Sequence, residues 1–133
     1  MAKKNEPTIK VAYAPALECR PMIQDVPEPD VAIWMEGLLS SNELIIRPTV
    51  LSGIMMVCKK HDDNDRFNWI GSCIYLHNRD ECIGGDVFLC RVDFHKQPDG
   101  KTKFLGLRPY DIRRINDAAD RIFQNHKRLE IEL

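Results

Sequence analysis

Hydrophobic residues recur at helical spacing in two parts of the chain. Between Asp111 and Arg128 the apolar side chains fall on one side of a helix with 3.6 residues per turn. These residues are Ile112, Ile115, Ala119, Ile122 and Phe123, with His126 on the same side. Asp111 is a candidate N-cap. A shorter repeat, formed by Val31, Trp34, Met35 and Leu38, predicts a helix from Asp30 to about Leu39.

The middle of the chain has the pattern of strands, with runs of apolar and β-branched residues bounded by polar turns. We predict about four of them, at about 50–58, 67–77, 86–95 and 103–108. The turn Lys96–Lys101 contains Pro-Asp-Gly, which favours a hairpin because glycine tolerates positive φ. Links of hairpin length predict an antiparallel meander, and the helix at 111–128 is expected to pack on it. The predicted fold class is therefore α+β.

The two ends of the chain have patterns of their own. Prolines 7, 15, 21, 27 and 29 all fall in residues 1–29, which predicts a proline-rich N-terminal arm containing IKVAYA as a short edge strand. Residues 30–133 then form a single α+β domain. At the other end Leu129, Ile131 and Leu133 alternate with glutamates, which predicts a final edge strand.

Composition is that of an ordinary globular protein. The 133 residues are 44% hydrophobic and 29% charged, and no apolar run approaches the ~20 residues that span a bilayer. The start, MAKKNEPTIK, lacks the apolar core of a secretory signal, and the five cysteines are an odd number. We therefore expect a cytoplasmic protein with reduced thiols and no membrane partner.

Charge is distributed unevenly. Residues 1–43 carry four basic and seven acidic side chains, whereas residues 91–128 carry ten basic and five acidic side chains. A basic C-terminal third is suited to an anionic partner. The alternative is an ordinary solvated surface of mixed charge.

Candidate metal ligands and catalytic groups are scattered. Cys58 and His61 have C-x-x-H spacing and are followed by Cys73 and His77, but no C-x-x-C pair exists, and thiols within strands usually act as small hydrophobic side chains. No nucleophile elbow, phosphate loop or dinucleotide fingerprint is present. We therefore expect no cofactor and no metal, and a binding module is favoured over an enzyme. The enzymatic alternative is a histidine-dependent nuclease using His77 and His95.

The most specific prediction concerns one face of the sheet. Because side chains alternate along a strand, Arg91 and His95 share a face that is opposite to Phe88 and Cys90. Together with cations of the next strand they predict a basic surface that binds single-stranded nucleic acid or a nucleotide-like anion. The predicted phosphate-binding residues are Arg91, His95, Lys101, Lys103 and Arg108, and the predicted stacking residues are Trp69 and Tyr75. The alternative is the polar face of a half-solvated sheet.

Element order from residue 69 to 123 resembles a known domain. Two strands, a Pro-Asp-Gly hairpin and Gly106-Leu107-Arg108-Pro109 leading into a helix resemble the single-stranded-DNA-binding domain of the transcriptional positive cofactor family. The resemblance implies a curved sheet that binds the strand and a C-terminal helix that dimerises, here through residues 111–128. A different hypothesis is a small adaptor or inhibitor, of a kind that mobile elements also encode. It would act by protein–protein contact through the proline-rich arm and Trp34 or Trp69.

Overall fold

An antiparallel sheet runs through the molecule and carries helices on both faces. The computed structural model describes residues 7–16, 20–41, 43–60, 66–76, 83–95, 98 and 100–132, with side chains in the last helix described as far as 124. Among these residues the strands are β1 (Thr8–Ala14), β2 (Met22–Pro27), β3 (Ile45–Pro48), β4 (Met55–Cys58), β5 (Val87–Asp93) and β6 (Lys103–Leu105). The α-helices are α1 (Val31–Leu39), α2 (Trp69–Ile74) and α3 (Pro109–Glu132), and residues 28–30 form one 3-10 turn.

Strand β5 is the centre of the sheet. The order is β2-β1-β5-β4-β3, and β6 pairs with the C-terminal half of β5. Leu89 is opposite Ala12 of β1 on one side and Met56 of β4 on the other, and all pairings are antiparallel. The α+β class and the antiparallel sheet are confirmed. The predicted meander of four strands is wrong, because the sheet has six described strands and places β5 between two earlier hairpins.

The sheet is buried on both faces. On one face α2 and α3 pack over β5, with Ile70, Ile115 and Ala119 in one cluster with Leu89. On the other face α1 packs over Phe88 and the rest of a second cluster. A strand covered on both faces reads as a continuous apolar run, and Val87–Cys90 is such a run.

The proline-rich segment supplies two of the strands. Residues 8–14 and 22–27 form the β1–β2 hairpin, in which Val11 is opposite Gln24. A strand at IKVAYA is confirmed, but its predicted edge position is wrong, because β1 pairs with β2 on one side and with β5 on the other. The prolines stand where they do not interrupt a ladder, since Pro7 and Pro15 flank β1 and Pro27 ends β2.

The strand predicted at 67–77 is a helix instead. Asn68 is the N-cap of α2, and its side-chain oxygen accepts a hydrogen bond of 2.8 Å from the backbone N–H of Gly71. Ile70 and Ile74, four residues apart, are buried on the same side of this helix. Trp69 and Tyr75 therefore do not share the face of a strand.

The C-terminal helix starts earlier and runs further than predicted. Pro109 is its first residue, so Asp111 lies at the third position and not at the N-cap. The predicted edge strand at 129–133 is wrong, because α3 continues to Glu132. Burial of Ile115 and Ala119 confirms the predicted apolar side of the helix at these two positions, whereas the side chain of His126 lies outside the described residues.

Several local predictions are confirmed. The helix predicted from Asp30 is α1, and the Pro-Asp-Gly turn joins β5 and β6 with φ of 71° at Gly100. Gly53, in the turn before β4, has φ of 84°. In the part of the chain that the structure describes, no helix combines the length and apolarity that crossing a membrane requires.

Candidate functional site

The outer side of helix α1 is apolar. Its sequence, VAIWMEGLL, contains one charged residue, Glu36. The inner side packs on the sheet through Val31, Met35 and Leu39, which are all buried. On the outer side Ile33 is 70% exposed and Leu38 is 44% exposed. A helix that is apolar all round is normally covered on all sides, so this surface is a candidate for contact with a partner.

A groove lies between α1 and the β5–β6 hairpin. Its largest cavity has a volume of about 470 Å³, which is within the range of about 300–1,000 Å³ that is typical of ligand pockets. Most of its walls are apolar, formed by Ala32, Ile33, Leu44, Ile46 and Phe104. Two further cavities of about 260 and 300 Å³ share lining residues with it. We call these three cavities together the α1 groove.

The hairpin side of the α1 groove is basic. Lys101 and Thr102 line all three cavities, and Lys103 lines one of them. His95 lines the cavity of about 260 Å³ together with Phe94, whose side chain is 72% exposed. The groove therefore combines apolar walls, an exposed aromatic ring and cations along one side.

His95 is attached to the neighbouring carboxylate. Its backbone N–H donates to Oδ1 of Asp93 at 2.9 Å, and its Nδ1 lies 2.8 Å from the same oxygen. These hydrogen bonds, first that of the backbone and then that of the ring, lower the pKa of Asp93. Three of the five predicted phosphate-binding residues, His95, Lys101 and Lys103, thus lie together beside the α1 groove.

The side chain of Arg91 and the backbone of Arg108 instead contact a buried carboxylate near the start of α3. The Nε and Nη2 atoms of Arg91 donate to the two oxygens of Asp111, each at 2.6 Å. The backbone N–H of Arg108 donates to Oδ2 of Asp111 at 2.9 Å, so the Asp111 side chain accepts from the residue before the helix as the third residue of a capping box does. Asp111 has no exposed surface, and the hydrogen bond from Arg91 is the main cause that holds its pKa well below the usual range.

Arg114 also binds Asp111, and Gly53 provides space beside Arg91. Arg114 donates to Oδ1 of Asp111 at 2.9 Å and to the backbone oxygen of Ser52 at 2.8 Å. Gly53 leaves room for the guanidinium of Arg91, since a Cβ atom there would lie 2.7 Å from Nη1. The sheet face that the sequence predicted to be open and basic is therefore covered by α3, and a buried carboxylate neutralises its arginine.

The predicted stacking residues lie apart from the hairpin cations. Trp69 begins α2 and meets Phe67 edge-on, with ring centroids 5.0 Å apart. Tyr75 is buried, and its hydroxyl accepts a hydrogen bond of 3.0 Å from Arg47. An exposed aromatic residue that does lie beside these cations is Phe94.

The described residues hold no group of three or more potential metal ligands. Cys58 and Cys90 are buried and Cys73 is exposed, and burial raises the pKa of the Cys90 thiol to about 12. His61 and His77 lie outside the described residues, so the nuclease hypothesis keeps its status as a sequence prediction.

Comparison with known proteins gives no independent assignment. No family model, no curated protein and no solved structure matches the chain. The resemblance to the single-stranded-DNA-binding domain is also weakened, because the first of its two strands corresponds to α2. We therefore base the function on the groove and its charges.

Proposed function

We propose that this protein is a non-enzymatic binding module that contacts a protein partner through the α1 groove. The observation that carries the proposal is the solvent-facing side of α1, where Ile33 is 70% exposed beside an apolar groove. Large exposed apolar surfaces of this kind mark protein-contact sites. This function belongs to the adaptor or inhibitor class, with the contact placed at Ile33 and Phe94 and not at the two tryptophans.

The energetics favour an extended partner surface. Burying a large apolar side chain contributes about 1.5–3 kcal/mol, so covering Ile33 and Phe94 together stabilises a complex substantially. These two side chains protrude beside the cavities that they line. A small ligand confined to one cavity leaves part of this apolar surface in water, whereas a protein segment covers both residues and fills the groove between them.

A single-stranded nucleic acid is the second candidate partner. It is favoured by Phe94, an exposed aromatic ring next to His95 and Lys101, because bases stack on such rings while cations hold phosphates. It is less favoured than a protein because Arg91 is committed to Asp111 and Tyr75 is buried. The walls of the groove are also mainly apolar.

Site-specific photocrosslinking in the native cells tests the proposed function. A benzoylphenylalanine placed at position 33 or 94 of the full chain is expected to give a discrete adduct with another protein. The matched control is position 50, since Val50 is 56% exposed and lies on the turn before β4, outside the residues that line the groove. Adding Ile33→Ser to the chain with the crosslinker at 94 should reduce the adduct about tenfold.

The chemistry of the adduct separates the candidates. A protease-sensitive adduct at 33 and 94 that is absent at 50 supports the proposal. An adduct that nuclease digests contradicts it and favours the nucleic-acid alternative. The same adducts at all three positions, or none at 33 and 94, also contradict a specific protein contact at this groove.

A further inference from the structure

We infer that the partner segment occupying the α1 groove is an apolar stretch flanked by acidic residues. This inference rests on the proposed function and adds the chemistry of the partner. It follows from three features of the groove: the charge of its hairpin wall, the position of that charge relative to the apolar cavities, and the different charge of the α1 wall.

The hairpin wall carries positive charge. Two lysines of the hairpin, Lys101 and Lys103, line the groove. The carboxylate of Asp93, at the end of β5, accepts a hydrogen bond from the backbone N–H of His95 and lies 2.8 Å from the ring Nδ1 of the same residue. Its negative charge is therefore already paired within the chain. This wall attracts carboxylates and repels lysine and arginine.

The charge lies within reach of every part of the groove. Lys101 lines each of the three cavities, and Thr102 accompanies it in each. A partner that inserts apolar side chains between Ile33 and Phe104 therefore brings its neighbouring residues to this lysine. An acidic residue next to the inserted side chains gains an ion pair, whereas a basic one is repelled.

The α1 wall gives the groove a direction. Glu36 lines the largest cavity and Glu28 lines the cavity of about 300 Å³, both on the side opposite the hairpin. Acidic residues of the partner are therefore expected on the hairpin side alone, with neutral or basic residues over α1. Complementarity of this kind fixes orientation and rejects wrong partners more than it adds affinity.

Labelled peptides test the inference directly. The probe is a fluorescein-labelled peptide of about 12 residues with three leucines at helical spacing and glutamates beside them. A second peptide has lysine in place of each glutamate, and a third has serine in place of each leucine. Fluorescence anisotropy with the full chain measures each affinity. The first peptide is expected to bind at least about tenfold more tightly than either of the others.

Charge reversal in the protein is the complementary arm. The double variant Lys101→Glu with Lys103→Glu should weaken the glutamate peptide about tenfold and strengthen the lysine peptide. The matched control reverses two exposed arginines of α3, Arg113→Glu with Arg121→Glu, and should leave both affinities within about twofold. Circular dichroism checks that each variant is folded.

The outcomes separate this inference from the proposed function. Equal binding of the glutamate and lysine peptides overturns the acidic partner while leaving a protein-binding groove. If none of the three peptides binds, while the protein still gives the protein adduct at positions 33 and 94, the acidic partner is likewise overturned and a protein-binding groove remains. Binding of oligo(dT) that Lys101→Glu abolishes, without peptide binding, overturns both. A dimer of the chain that Ile33→Ser dissociates makes a second copy the occupant and also overturns the acidic segment.

Discussion

The two faces of the sheet treat their polar and apolar groups in opposite ways. Under α3, Asp111 accepts hydrogen bonds from two arginines, and the carboxylate has no contact with solvent. Over α1, apolar side chains remain in water, with Ile33 and Phe94 more than two-thirds exposed. On the face with the conspicuous charged residues the carboxylate is thus paired within the chain, whereas the face with plain apolar residues leaves large side chains exposed to water.

This difference shows that charge in the sequence is a poor guide to charge at the surface. A buried carboxylate is tolerated only when cations and N–H groups surround it, so Arg91 serves the fold first. Exposed apolar side chains need no such partners and do not stabilise the core. Large exposed apolar patches instead mark surfaces that bind other molecules. The comparison can be tested by perturbing each face in turn.

The largest effect is expected from Asn68→Ala, on the face covered by α2 and α3. The Asn68 amide donates to the backbone oxygens of Ala14 and Gly85, at 3.0 and 2.8 Å, and caps α2. Alanine leaves these buried groups unpaired, so the free energy of unfolding should fall by about 4 kcal/mol. Urea denaturation measures it. Asn116→Ala, at an exposed position of α3, is the control and should change stability by less than about 0.5 kcal/mol.

The next largest effect is expected from Asp111→Asn. Removing the carboxylate leaves Arg91 and Arg114 facing each other without an anion, which should lower stability at neutral pH by about 3 kcal/mol. Asp117→Asn makes the same chemical change at an exposed position of α3 and should cost less than about 0.5 kcal/mol. An equal loss from the two variants would show that the ionic network does not stabilise the fold.

The same carboxylate predicts a pH dependence. Because the folded protein lowers the pKa of Asp111, its contribution is fully present above the usual carboxyl pKa of about 3.9 and is lost as the pH falls below it. The stability difference between the native chain and Asp111→Asn should therefore shrink below about pH 4. A difference that stays constant between neutral pH and about pH 3 would contradict the assigned pKa shift.

The smallest effect on stability is expected on the open face. Ile33→Ser removes an exposed apolar side chain, so the free energy of unfolding should change by less than about 0.5 kcal/mol. Met35→Ala, two residues along the same helix but fully buried, should cost about 3 kcal/mol. Thermal denaturation compares the two. A large loss from Ile33→Ser would mean that this side chain belongs to the core, and the proposed contact surface would lose its main support.

Sequence reasoning located the elements whose causes are local. The repeat of Val31 and Met35 gives α1, and Pro-Asp-Gly gives the β5–β6 turn, because both depend on nearby residues. Helix α2 was missed because Asn68 forms its amide hydrogen bonds with Ala14 and Gly85, which are distant in sequence. Strand order was missed for the same reason, since no local pattern indicates which strands pair.

The candidate site was predictable in part. Lys101 and Lys103 were named, but their surroundings depend on where α1 packs, which the sequence does not state. Ile33 was not singled out, although a sign of the exposed apolar surface was present: VAIWMEGLL has too few polar residues for an ordinary surface helix. The ion pair of Arg91 was not foreseen, because its partner, Asp111, comes from the next element along the chain after β6.

The central position of β5 determines when the sheet can form. Ala12 of β1 pairs with Leu89 of β5, which comes more than half the chain length later in the sequence. The β3–β4 hairpin, by contrast, closes over a short loop. During synthesis at about 5–20 residues per second, β1 is therefore translated several seconds before its second neighbour exists. Contacts of such long range also slow folding, typically to milliseconds or longer. Pairing of β5 with β1 and β4 thus joins the two hairpins into one cooperative unit. Until β5 has been synthesised, the nascent chain exposes an unpaired edge of β1.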